Sequence, residues 1–167
     1  VHTDIHQLFQ HLKYFDKTFT EPRIVTVTSN VDYRNKTIVT DTIVIIALDT
    51  YLGSDHKFYM DIPRYLTQNM KKSQIVSDLA GEYSKNYIFQ SQRKSLLDEM
   101  IYFGKQLYFK DVMIPFKSDA EKIVYTQEQL DWATAHERHI WSYFLEREML
   151  YNTYNSLHVR FISDSPL

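Results

Sequence analysis

The fold is decided by one apolar stretch, residues 42–48, which reads TIVIIAL. β-Branched residues dominate this stretch, and its apolar residues fall at successive positions, a pattern typical of a strand that is covered on both faces. We therefore expect it to form the central strand of a small sheet. Two further stretches of β character, residues 23–29 and 37–40, precede it and predict its neighbours.

Helical patterns lie on either side of these strands. Apolar residues spaced three and four apart, from Ile5 to Phe15, predict an amphipathic N-terminal helix. From Pro63 onward the pattern is helical again, with helices predicted over residues 63–69, 73–87, 91–108 and 126–150. The last of these opens with a predicted capping box formed by Thr126 and Gln129. The predicted buried stripes of the last two helices include Ile101 and Tyr108, and Trp141 and Leu145, respectively. We predict an α+β fold: an N-terminal helix, a small mixed or antiparallel sheet of about three strands, and a predominantly helical C-terminal half.

Length and composition exclude several classes of protein. With 167 residues, 44% of them apolar, and no linker-like segment, the chain predicts a single domain over residues 1–167. The 19 Lys and Arg against 21 Asp and Glu give a net charge of −2, which disfavours nucleic acid as a partner. Because cysteine is absent and glycine occurs only three times, disulfides, Cys-ligated metals and glycine-rich phosphate loops are excluded.

One pair of histidines invites a metal-site interpretation. His136 and His139 are three residues apart and flank Glu137, so one helix face could present both imidazoles to a metal. The spacing differs from HExxH, in which the second histidine comes one position later. We therefore expect no metal and no cofactor, and keep a metal-dependent hydrolase that uses these residues as an alternative.

Aromatic residues are the remaining signal, since the chain has 13 Tyr, 10 Phe and 2 Trp. Such side chains combine large apolar area with a polar tip and are favoured at protein interfaces. Residues 49–59 (DTYLGSDHKFY) predict an irregular loop, and recognition residues often lie on loops. The candidate contact residues are Tyr51, His56, Phe58 and Tyr59, although these rings could instead cap the sheet edge. A peptidoglycan- or glycan-binding module is another alternative, because exposed aromatic rings stack on sugars.

Several segments together resemble the GldB-type gliding-motility lipoproteins of Bacteroidota. The most specific are LDTYLG at residues 48–53 and MIYFGKQLY at residues 100–108, and shorter matches continue in the same order to residues 160–162. The resemblance implies an exported protein, anchored by a lipid on an N-terminal cysteine and needed for gliding and for type IX protein secretion. The anchor cysteine is not in this sequence, which ends at Leu167. We therefore expect a chain that lacks its anchor and is truncated at its C-terminus.

The same family is distantly similar to zincin-type metallopeptidases, which implies a zincin-like fold. If residues 96–102 occupy the zincin active-site helix, Asp98 and Tyr102 stand at the two metal-binding positions and Glu99 alone matches the motif. A carboxylate and a phenol make a poor zinc site compared with two imidazoles. The resemblance thus implies a degenerate site, in which we expect Asp98 to accept a hydrogen bond from Tyr102.

These inferences lead to one functional hypothesis. We expect a protein without enzymatic activity that is lipid-anchored in the periplasm, on the outer rather than the inner membrane. Its expected partners are envelope proteins of the gliding and type IX secretion machinery, together with the membrane that holds its lipid.

Overall fold

The computed structural model describes residues 1–162; Ser165, Pro166 and Leu167, with which the sequence ends, lie outside the described residues. The helices are α1 (His2–Phe15), α2 (Arg64–Thr67), α3 (Ile75–Tyr87), α4 (Leu96–Met113), α5 (Asp119–Ile123), α6 (Gln127–Glu146) and α7 (Asn155–Phe161). The strands are β1 (Arg23–Val27), β2 (Thr37–Val39) and β3 (Ile43–Ala47). The predicted α+β architecture, with its N-terminal helix, small sheet and helical C-terminal half, is confirmed.

The sheet is built around β3, as the apolar stretch predicts. The strand order is β1-β3-β2, with β1 parallel and β2 antiparallel to β3, so the sheet is mixed. Val44 and Ile46 point to the covered face and are buried. On the opposite face, Ile38 and Ile43 remain exposed. The expectation that both faces are covered is therefore wrong for the part of the chain described, where the second face stays partly open.

The main core lies between this sheet and the helices. Its most deeply buried members come from four parts of the chain: Leu8 and Leu12 in α1, Val44 in β3, Leu79 in α3, and Ile114 after α4. The N-terminal helix ends at Phe15 and presents Ile5, Leu8, Phe9 and Leu12 of the predicted face to this core, whereas Phe15 itself is exposed. Burial of such aliphatic side chains is the principal stabilising contribution to the fold.

A second, smaller core lies at the other end of α4. Leu96 at the start of α4 packs there with Phe144, Met149 and Leu150, and the half-buried Phe161 of α7 packs against them. Further along the same helix, Phe109 and Met113 belong to the main core. Helix α4 therefore connects the two cores.

The boundaries and inward face of α4 differ from the prediction. The helix begins at Leu96 because Ser95 and Asp98 form a capping box, and it continues to Met113 rather than ending at residue 108. Ile101 and Tyr108, both expected on the buried stripe, are exposed. The inward face instead carries two charged side chains, buried Glu99 and half-buried Lys110.

Helix α6 begins at the predicted capping box, formed by Thr126 and Gln129, but ends at Glu146. Its apolar stripe is only partly buried, and Phe144 is its one fully buried residue. Trp141 and Leu145, which were expected on the buried stripe, are exposed.

The orientation of α4 can be tested by paired truncations on the same helix. Leu96→Ala should lower the free energy of unfolding by about 3 kcal/mol, because it opens a cavity in the second core. Ile101→Ala is the matched control and should change it by no more than about 0.5 kcal/mol, since its side chain is exposed. Urea denaturation measures both values, and equal losses would contradict the orientation.

Candidate functional site

The loop over residues 48–60 is an ordered structure. It opens with the 3-10 turn Leu48–Thr50 and contains a second one, Lys57–Tyr59. Gly53 lies between them with a φ of 113°, a backbone conformation that side chains rarely permit. Its N–H donates to the Met70 carbonyl at 2.9 Å, and Leu52 forms an isolated antiparallel bridge with Lys71. The loop is therefore fixed to the segment that follows α2.

The carboxylate of Asp49 holds the base of this loop. It is buried and accepts hydrogen bonds from the backbone N–H groups of Ser29 and Val31, each at 2.9 Å, and from the Ser29 hydroxyl at 3.2 Å. Asn30 and Val31 both have positive φ, of 56° and 60°, and in this conformation the N–H groups of Ser29 and Val31 both reach one anion. Burial raises the pKa of Asp49, but the hydrogen bonds from Val31 and Ser29 outweigh it, so the pKa lies below its ordinary value.

Two of the four candidate contact residues are buried. The Tyr59 hydroxyl donates to the Asp49 carbonyl at 2.8 Å and accepts from the Leu52 N–H at 3.0 Å. The Tyr51 hydroxyl donates to Asp78 at 2.7 Å, and burial raises the pKa of Tyr51 well above its ordinary value. Both rings anchor the loop and are not presented to a partner.

The other two candidates lie at the surface with apolar neighbours. Phe58 is 57% exposed and Met60 is 83% exposed. His56 is half-buried, and its Nδ1 accepts a hydrogen bond from the Phe58 backbone N–H at 3.3 Å. The rings of His56 and Phe58 meet edge-on, with their centroids 4.7 Å apart. Leu52 is also exposed. We call Leu52, His56, Phe58 and Met60 the loop surface.

A polar network that the sequence analysis missed lies beneath the loop. Asp78 of α3 accepts from Tyr51 and also from Lys36 Nζ at 2.5 Å. Nearby, the Lys110 ammonium donates to the Lys122 carbonyl at 2.8 Å, and burial lowers the pKa of Lys110. No sequence motif joins these residues, because they come from segments far apart in the chain. The one sequence signal is the spacing within α4, where Lys110 follows Glu99 by about three helical turns. This spacing places both residues on the same face of the helix.

The two carboxylates compared above with the zincin motif have hydrogen-bond partners within the protein. Asp98 accepts from the Ser95 N–H at 3.2 Å and from its hydroxyl at 2.5 Å, and these hydrogen bonds lower the pKa of Asp98. Glu99 is buried and accepts from the Gln90 side chain at 3.0 and 3.2 Å. Within residues 1–162 the expected hydrogen bond from Tyr102 to Asp98 is not formed, because the capping box engages that carboxylate.

The two histidines of α6 lie on a partly exposed face. The His136 ring stacks on Trp132 with centroids 4.5 Å apart, and its Nδ1 lies 2.8 Å from the Trp132 carbonyl oxygen. The ring centroid of His139 is 6.3 Å from that of His136, and Glu137 is exposed. Among the residues described, no three or more His, Asp or Glu side chains are grouped closely enough to hold a metal ion.

The role of Asp49 predicts a pH-dependent stability difference. Asp49→Asn should lower the free energy of unfolding by about 2 kcal/mol at pH 7, because the charge-assisted hydrogen bonds to Ser29 and Val31 are weakened. Since the folded pKa is lowered, this contribution is present above a pH of about 4 and is lost as the pH falls through the folded value.

The difference between wild type and Asp49→Asn should therefore shrink in acid, which urea denaturation from pH 7 to pH 3 measures. The exposed Asp41 provides the control, Asp41→Asn, with an expected change within about 0.5 kcal/mol. A difference for Asp49→Asn that stays constant across this range would contradict the assignment.

Comparison with known proteins assigns the chain to a family. No helix among residues 1–162 combines the length and the apolar character needed to cross a membrane. No curated protein and no solved structure is significantly similar to the chain. A family model described as "Gliding motility protein GldB", whose label marks it as a lipoprotein family, matches residues 1–167, the whole chain. The chain therefore belongs to the GldB family of gliding motility lipoproteins.

Proposed function

We propose that this protein is a non-catalytic, lipid-anchored module of the cell envelope that binds protein components of the gliding and type IX secretion machinery. Its site of action is the periplasm, and its lipid lies in the outer membrane. Contact with the machinery is made by the loop surface.

The observation that carries the proposal is the combination of exposed apolar side chains and a fixed backbone. Phe58 and Met60 extend into solvent from a loop whose base is held by Tyr51, Tyr59 and Asp49. An ordered loop loses little conformational entropy on binding, so the burial of its apolar side chains contributes more fully to affinity. Phenylalanine and methionine are enriched at the cores of protein–protein interfaces.

The hydrogen bonds of Asp98 and Glu99 support a role without catalysis. Asp98 caps α4 through Ser95, and Glu99 is bound to Gln90. Both carboxylates therefore have structural roles that account for their positions. A general acid or base must come within hydrogen-bond distance of a substrate proton, whereas these two carboxylates accept hydrogen bonds from the protein itself.

The loop surface can be tested with the double variant Phe58→Asp/Met60→Asp in the full-length lipoprotein, expressed in its native cells. We expect loss of gliding and a fall of about tenfold or more in the envelope proteins that co-purify in mild detergent, because two charges replace apolar contacts. Type IX secretion, measured from the proteins released into the medium, should fall as well. Thermal unfolding of the double variant should change little, since both side chains are exposed.

The matched control is Phe89→Asp, which changes a phenylalanine that is 81% exposed in the segment between α3 and α4 and is not part of the loop surface. This variant should glide and retain the co-purifying proteins. If the double variant glides normally, the loop surface is not the contact site. If gliding is lost while secretion is unchanged, the type IX part of the proposal is overturned.

A further inference from the structure

Two lysines lie beside the exposed apolar side chains of the loop surface. The Lys57 ammonium is 5.7 Å from the centroid of the Phe58 ring, on the same 3-10 turn. Lys71 forms the antiparallel bridge with Leu52, and side chains directly opposite each other in such a bridge lie on the same face. Both lysines are exposed. We call Lys57 and Lys71 the basic rim.

The ammonium groups of the basic rim are not neutralised by the protein itself. Among residues 1–162, neither Lys57 nor Lys71 forms an ion pair, whereas Lys117 and Lys122 each do. The contact of Lys57 with the Phe58 ring is exposed and therefore weak, and it leaves the ammonium able to bind oxygen acceptors. Because an unpaired charge is costly to bury, a molecule that covers the loop surface must bring acceptors for these lysines.

The segment that contains the basic rim is more basic than the chain as a whole. Residues 52–72 carry four cationic side chains and two carboxylates, although the net charge of the whole chain is −2. The other two cations, Arg64 and Lys72, are also exposed. Complementary charges around an apolar contact accelerate association and fix the register of the two surfaces. The charge of this segment therefore favours an acidic partner.

The two carboxylates of the segment favour a protein over a lipid surface. Asp55 and Asp61 are exposed and are each three residues from Phe58 in the sequence. An anionic membrane presents charge of one sign, so it would attract the lysines and repel both aspartates. A protein can place carboxylates opposite the lysines and polar or cationic groups opposite the aspartates.

We propose that the partner of the loop surface is an acidic protein, whose carboxylates pair with Lys57 and Lys71 around an apolar contact with Phe58 and Met60. This inference rests on the proposed function, since it names the chemistry of the protein bound at the same surface. The apolar contact holds the partner, and the basic rim selects and orients it.

The pairing can be tested by zero-length crosslinking. A water-soluble carbodiimide joins a lysine amine to a carboxylate in contact with it, forming an amide with loss of water. In envelopes from cells that make the full-length lipoprotein, we expect mass spectrometry to find Lys57 or Lys71 joined to an aspartate or glutamate of another protein. Lys57→Arg/Lys71→Arg retains both charges without the amines, so it should keep the co-purifying proteins and lose these crosslinks.

Charge reversal tests the contribution to binding. Lys57→Glu/Lys71→Glu should lower the co-purifying envelope proteins by about tenfold or more at low ionic strength, because like charges then face each other. Lys94→Glu/Lys105→Glu is the matched control, since it makes the same change in net charge at two exposed lysines outside residues 52–72. It should lower co-purification by less than about twofold. Raising the salt concentration to about 0.5 M should weaken wild-type co-purification by about fivefold.

The outcomes separate this inference from the proposed function. If Phe58→Asp/Met60→Asp loses the co-purifying proteins while Lys57→Glu/Lys71→Glu retains them, the loop surface binds a protein and the acidic partner is wrong. If both variants retain them, the proposed function fails as well. The inference is also overturned if the partner is retained in the envelopes but no crosslink forms at Lys57 or Lys71.

A lipid source of the negative charge is tested with vesicles. The chain without its lipid is sedimented with vesicles of phosphatidylglycerol and phosphatidylethanolamine, and we expect it to remain in the supernatant. Sedimentation of the wild type that is lost in Lys57→Glu/Lys71→Glu would assign the basic rim to a membrane and overturn the inference.

Discussion

The buried carboxylate of Asp49 is the interaction on which the candidate surface depends. It lies just after β3, the central strand, and accepts hydrogen bonds from Ser29 and Val31, which follow β1. Its own carbonyl accepts the Tyr59 hydroxyl from the far end of the loop. One residue thus joins the end of the sheet to both sides of the loop. The left-handed conformation of Val31, unfavourable for a β-branched side chain, is tolerated because its N–H meets this anion.

The polar network below the loop constrains the structure in a different way. Lys36 and Asp78 form a largely buried ion pair, and the Tyr51 hydroxyl donates to the same carboxylate oxygen. Removal of either Lys36 or Asp78 would leave the other charge buried without its partner. Such an unpaired charge destabilises a protein more than the intact ion pair stabilises it. The network therefore contributes chiefly to the position of the loop on α3 and β2.

The sequence predicted those elements whose signal is local. The β3 strand and the capping box of α6 follow from neighbouring residues, since β-branching and cap chemistry act over a few positions. The start of α4 was missed because its capping box has Asp98 where the usual signature has Glu or Gln. Its inward face was misjudged because the apolar count favours Ile101 and Tyr108, whereas the fold buries Glu99.

The candidate site was harder to predict because burial depends on distant partners. Residues 51 and 58 are both aromatic loop residues, and nothing nearby in the sequence distinguishes them. Tyr51 is buried because Asp78, 27 residues later, accepts a hydrogen bond from its hydroxyl. Phe58 has no hydroxyl to be held in this way and stays exposed. Likewise, the left-handed backbone of Val31 carries no sequence signal, since glycine or asparagine would be expected there.

The loop separates the groups that fix its shape from those it presents. Its backbone is held by main-chain hydrogen bonds, such as Gly53 to Met70 at 2.9 Å, and by the two tyrosine hydroxyls. Phe58 and Met60 contribute little to that framework, because most of their surface is in solvent. Exposed apolar groups oppose solubility in a free protein and favour association when a partner covers them. In the proposed function, a partner covers these two side chains while the hydrogen bonds that fix the loop stay in place.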